Sequence, residues 1–104
     1  MSIVTVYAVF ADLAEAQAIG RAMVEERLAA CVNILQPCRS IYRWEGAIET
    51  ASEVPALFKT TVDGAEALIA AIAGRHSYEV PAIVAWPIAT SAQGYAAWVE
   101  ETVG

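Results

Sequence analysis

Ten consecutive residues, Ser40-Ile41-Tyr42-Arg43-Trp44-Glu45-Gly46-Ala47-Ile48-Glu49, constrain the fold more than any other stretch. Large aromatics, both charge signs and a glycine stand together without a helical period, so the segment reads as extended. On a strand Tyr42 and Trp44 share one face, while Ile41 and Arg43 share the other. Charges set among aromatics suit a strand partly buried by something outside its own sheet. Gly46 permits a bulge or sharp bend. The stretch therefore reads as the first arm of a long hairpin that meets neighbouring subunits.

The rest of the chain supplies the frame for that hairpin. Ile3 to Phe10 is almost wholly apolar, β-branched or aromatic, which marks a central strand. Asp12-Leu13-Ala14-Glu15 has capping-box spacing and opens a helix expected to end near Leu28. Ala16, Ile19, Gly20, Met23 and Val24 repeat on its inner face, with Gly20 allowing close approach to the sheet. A second strand is expected over Ala29 to Leu35, interrupted by Gln36-Pro37-Cys38. Polar Glu49-Thr50-Ala51-Ser52 is the expected hairpin turn, and Glu53 to Thr61 the returning third strand. Pro55 within it needs an edge, a bulge or a register that turns its missing amide away from the partner. Asp63-Gly64-Ala65-Glu66 repeats the capping box before a second helix, for which Gly74 is the expected terminator. Val80 to Ile88 reads as a fourth strand between Pro81 and Pro87. Thr90-Ser91 would cap a last helix presenting Tyr95, Trp98, Val99 and Thr102.

The order β-α-β-β-α-β-α is that of an α+β, ferredoxin-like split β-α-β fold, with a long central hairpin and an extra C-terminal helix. One domain over residues 1–104 is expected. Two helices cover only one face of such a sheet. The chain is 58% hydrophobic and only 17% charged, so its surplus apolar surface points to an oligomer. No apolar run is long enough for a membrane span. A net charge of −6, with six scattered Lys and Arg, argues against nucleic acid. Met1-Ser2 runs straight into the first strand, so no secretory signal is expected and the cytoplasm is the expected compartment. Cys31 and Cys38 are too few for a disulfide framework and too far apart for a CxxC motif.

Four stretches resemble the CutA family of divalent-cation tolerance proteins: Glu26 to Ile34, Ser40 to Gly46, Lys59-Thr60 and His76 to Pro81. Pro87-Ile88, Tyr95 and Trp98 also fit, so the resemblance runs collinearly through nearly the whole chain. It implies a ferredoxin-like monomer, a tight homotrimer with strands extended across subunits, divalent-metal or copper binding, and no established enzyme activity. Three positions depart from the family pattern. Ser77 stands in place of a proline, Ala82 in place of a glutamate, and Pro55 in place of an aliphatic strand residue.

Two readings exist for most of the chemically interesting residues. His76, Cys31 and Glu79 offer nitrogen, thiol and carboxylate donors, a set suited to weakly bound Cu or Zn. Equally, His76 is a helix terminator and Cys31 a buried small side chain. Tyr42, Trp44, Glu45, Lys59 and Tyr78 combine aromatic walls with a few polar groups. They fit an intersubunit cleft for a small molecule, or a plain subunit interface. The Tyr42–Gly46 and His76–Glu79 stretches are expected to meet between subunits and not within one. No nucleophile–base pair is visible beyond the adjacency of His76 and Ser77, so no catalysis is expected. The alternative is a trimeric, small-ligand-binding signalling protein resembling the nitrogen regulatory PII proteins. Those carry a long mobile loop where this chain has a regular hairpin.

Overall fold

The computed structural model describes residues 2–104; Met1, the first residue of the expected domain, lies outside them. The elements run β1 (Ile3–Phe10), α1 (Leu13–Glu25), β2 (Cys31–Ile34), β3 (Cys38–Trp44), β4 (Ala47–Thr61), α2 (Ala65–Arg75), β5 (Ile83–Pro87) and α3 (Tyr95–Thr102). The sheet order is β2-β4-β1-β5, every neighbouring pair antiparallel. This is the ferredoxin-like α+β arrangement.

The core follows from strand alternation. Val4, Val6, Ala8 and Phe10 of β1 and Val54, Ala56 and Phe58 of β4 point to one face. There they meet Ala16, Ile19 and Met23 of α1 and Leu68 and Ile72 of α2. Burying one such large side chain contributes about 1.5–3 kcal/mol. The opposite face carries Ile3, Thr5, Tyr7 and Val9. Helix α3 covers only one end of it, through Val99 packed with Ile3 and Ala30. Farther along, Val84 and Trp86 stay exposed, and Tyr7 lies beside Trp86 with ring centroids 5.8 Å apart.

The long hairpin departs from expectation in one place. Trp44 pairs with Ala47, so the turn is the two-residue Glu45-Gly46 and not Glu49 to Ser52. Both turn residues have positive φ, 49° and 84°, the pattern that matches the twist of the flanking strands. Glu49 to Ser52 instead continue β4, a strand of 15 residues, where polar side chains face solvent from a two-stranded arm. β2 and β3 lie one after the other along the same edge of β4, broken around Pro37. Pro55 fits at that break. Leu35 N–H donates to the Pro55 carbonyl, while Val9 N–H opposite donates to Ala82, so β1 never calls on the missing proline amide.

Helix ends also shift for physical reasons. Asp12 caps α1 by accepting from Glu15 N–H at 2.8 Å. The helix closes at Glu25 because Arg27 takes a left-handed φ of 60°, letting Leu28 N–H return to the Met23 carbonyl. The second capping box does not form. Gly64 is the N-cap, and its N–H bonds Thr61 Oγ1 instead. Gly74 stays inside α2 and His76 ends it. β5 begins at Ile83, so Val80 to Ala82 belong to a loop. Helix α3 starts after Gly94, φ 88°, and not at Thr90-Ser91.

Candidate functional site

An open cleft of about 650 Å³ lies where the hairpin arm leaves the body of the sheet. The β3 face that presents Ser40, Tyr42 and Trp44 forms one wall, in register with Ala51, Glu49 and Ala47 of β4. Tyr78, Glu79, Val80 and Ala82, from the loop between α2 and β5, form the other. Val9 and Glu53 also line it. The lining is mostly apolar and aromatic, with two carboxylates and, among the described residues, no lysine or arginine.

Glu53 is the unusual member. Its residue is only 7% exposed, yet it carries a carboxyl group. Tyr78 Oη donates to Glu53 Oε2 at 2.7 Å. Burial, and then that bond to Glu53, push the Tyr78 phenol well above its ordinary range. Sequence reasoning missed Glu53. The available signal was phase: it alternates with Pro55 and Leu57, on the face away from the two large helices.

The loop is anchored from beneath. His76 has a fully buried side chain stacked on Phe10, ring centroids 5.1 Å apart. Tyr78 N–H donates to His76 Nδ1 at 3.0 Å, so the ring proton sits on Nε2 and is given to the Val9 carbonyl at 2.7 Å. Glu15 reaches the same loop, with Oε1 accepting from Ala11 N–H and Oε2 from Ser77 N–H. Burial opposes its ionisation, but the bonds from Ala11 and Ser77 outweigh it and hold the carboxyl below its ordinary range. A proline at position 77 could not donate that N–H.

The expected sites fall into three groups. Tyr42, Trp44, Tyr78 and Glu79 do come together, but they do so within one chain, which corrects the expectation that the two stretches meet only across subunits. The long arm and the loop after α2 both overhang the same end of β1. Glu45 instead occupies the tip of the turn. Lys59 sits at the far end of β4, its Nζ on Asn33 Oδ1.

The donor set His76, Cys31 and Glu79 does not converge. Among the described residues no three His, Cys, Asp or Glu side chains are placed to share a metal ion. Both His76 nitrogens are committed to the backbone. Cys31 pairs with Lys59 on β4 and places its Sγ 3.5 Å from the Tyr95 hydroxyl. Burial, then Cys31, raise the Tyr95 phenol to about 12. Glu79 is exposed at the cleft rim. The residues therefore do not fit a preformed metal cage in one chain.

Residues 4–102 match the sequence profile of the CutA1 divalent ion tolerance proteins. The chain belongs to the CutA1 family. A Thermus thermophilus divalent-cation tolerance protein CutA is 45% identical over 89 residues, 86% of this chain and 86% of that protein. A zebrafish CutA homolog is 39% identical over 88 residues, covering 85% of this chain and 59% of that longer protein. The solved Thermus thermophilus Cut A1 structure superposes with a TM-score of 0.94 at 40% identity, covering 98% of this chain and 99% of that one. The structure described as periplasmic divalent cation tolerance protein CutA from Archaeoglobus fulgidus gives 0.94 at 35% identity, with 98% and 99% coverage. Ala82 lines the cleft of this CutA1-family protein and brings no polar side chain to that point of its wall.

Proposed function

We propose that this CutA1-family protein acts in divalent-cation tolerance as a cytoplasmic homotrimer without catalytic activity. The observation that carries the reading is the collinear family match over residues 4–102, with its sheet and helices in the same arrangement. The exposed strip of Val84 and Trp86 beside Tyr7 supports self-association, because a sheet face this apolar needs cover. In the proposed trimer the cleft lies at the boundary between subunits. Binding of Cu or Zn is weak and rests on single donors, the Cys31 thiol or the Glu79 carboxylate. The committed imidazole of His76 also supports the non-catalytic reading, since both ring nitrogens are held by the backbone and neither is left to act as a base for Ser77.

The test has two arms. Cells lacking the gene are grown across copper and zinc gradients, with and without a restored copy; equal growth of the two at every concentration would end the tolerance reading. Sedimentation equilibrium at low micromolar concentration should return three chains, and a stable monomer there would end the trimer.

A further inference from the structure

We propose that the cleft between the hairpin arm and the loop after α2 is a binding site for a small organic ammonium ion with an apolar body. Three observations combine. The cavity of about 650 Å³ has the size of a small-molecule site, and Tyr42, Trp44 and Tyr78 give it aromatic walls. Its floor holds Glu53, 7% exposed, a carboxyl group that costs free energy to bury without a cationic partner. Tyr78 satisfies one Glu53 oxygen, Oε2; the other, Oε1, has no protein hydrogen-bond partner among the described residues, and Glu53 lines the cleft.

Charge fixes the ligand class. Among the described residues two carboxylates and no basic side chain line the cleft, so an anion is repelled. Arg39 and Arg43 alternate to the opposite face of β3 and do not neutralise Glu53. A bare divalent ion is a poor fit, because it needs several oxygen ligands and the walls are apolar. An ammonium group attached to a hydrocarbon satisfies both halves of the site. Its N–H groups bond Glu53 Oε1 in a charge-assisted contact, and its charge lies against aromatic faces. Its apolar body covers Val9 and Val80.

The experiment is a proton–nitrogen correlation titration of the full chain in metal-free buffer containing chelator, with benzylammonium, benzyl alcohol and benzoate as probes. The Trp44 indole signal, assigned by its loss in Trp44→Phe, reports the cleft; those of Trp86 and Trp98 report other surfaces. Benzylammonium should shift Trp44 saturably, at a concentration about tenfold below that needed for benzyl alcohol, and benzoate should not shift it. In Glu53→Gln, which keeps an oxygen for Tyr78, the preference for the cation should vanish while benzyl alcohol binding persists. Equal response to the three probes, no response, or shifts confined to Trp86 and Trp98 would overturn the proposal. So would a cation preference that survives in Glu53→Gln. If that variant does not fold, the comparison of probes on the wild type decides alone. Chelator removes metal from this test, so its failure leaves the tolerance and assembly arms standing.

Discussion

Tyr78 and Glu53 are 25 positions apart and joined by a 2.7 Å hydrogen bond from the phenol to the carboxyl oxygen. That bond ties the loop after α2 to the point where β4 leaves the body of the sheet. Replacing Tyr78 by Phe keeps the ring and removes the donor. Glu53 is then left buried with no partner, a cost of about 1–3 kcal/mol. Urea denaturation should show that loss for Tyr78→Phe, and a much smaller one when Glu53→Gln is added. An unchanged midpoint for Tyr78→Phe would mean that solvent already satisfies the carboxyl group.

Glu15 gives the protein an acid edge. Its folded-state pKa lies below the ordinary 4.5, so the ionised form contributes stability at neutral pH. That contribution begins to fall as the unfolded chain takes up its proton near 4.5, and it is lost as pH falls through the lower folded value. The wild-type urea midpoint should therefore drop on acidification below 4.5. Glu15→Gln should start lower at neutral pH and change less over the same range. Parallel pH curves for the two proteins would remove Glu15 from the account.

The uncovered sheet strip predicts how assembly fails. Trp86 is 44% exposed in the single chain and stands beside Tyr7. If copies bury it, an aspartate there places a charge in an apolar interface without a partner. Trp86→Asp should sediment as a monomer at concentrations where the wild type is trimeric, with its helical circular dichroism retained. A trimer that tolerates Trp86→Asp would place the interface elsewhere.

How much of this was legible before the structure is best judged from single residues. Ile3 to Phe10 was readable to the residue, because a run of β-branched and aromatic side chains admits one interpretation. The Asp12 cap was readable because its chemistry is local. The hairpin turn was not. Polar Glu49 to Ser52 looked like a loop, yet on a two-stranded arm polar residues are simply the solvated strand. The true signal was the dipeptide Glu45-Gly46, which can take two positive φ values. Asp63 is not the cap because the helix begins one residue later than its box requires, with Gly64 as N-cap and the Gly64 amide held by Thr61 Oγ1. In the cleft, the aromatics announced themselves. Glu53 did not, since its burial depends on a loop 25 residues away, and the sequence leaves His76 between metal ligand and helix terminator, a choice that its two backbone partners decide.

Gly20 tests how closely α1 sits on the sheet. A Cβ at this position would lie 3.2 Å from Val32 Cγ1 and 3.8 Å from its Cγ2. The helix itself would gain about 1 kcal/mol from alanine in place of glycine. Overpacking against β2 costs about 1–3 kcal/mol, because Val32 is branched at Cβ and has few other rotamers. The packing cost should win, so Gly20→Ala is expected to destabilise by up to about 2 kcal/mol despite its better helix propensity. The double-mutant cycle with Val32→Ala isolates the cause. Once both Val32 methyls are gone, alanine at position 20 should become neutral or stabilising, leaving a coupling of about 1 kcal/mol or more. Strict additivity would show that the contact with Val32 is not what makes glycine the fitting residue there.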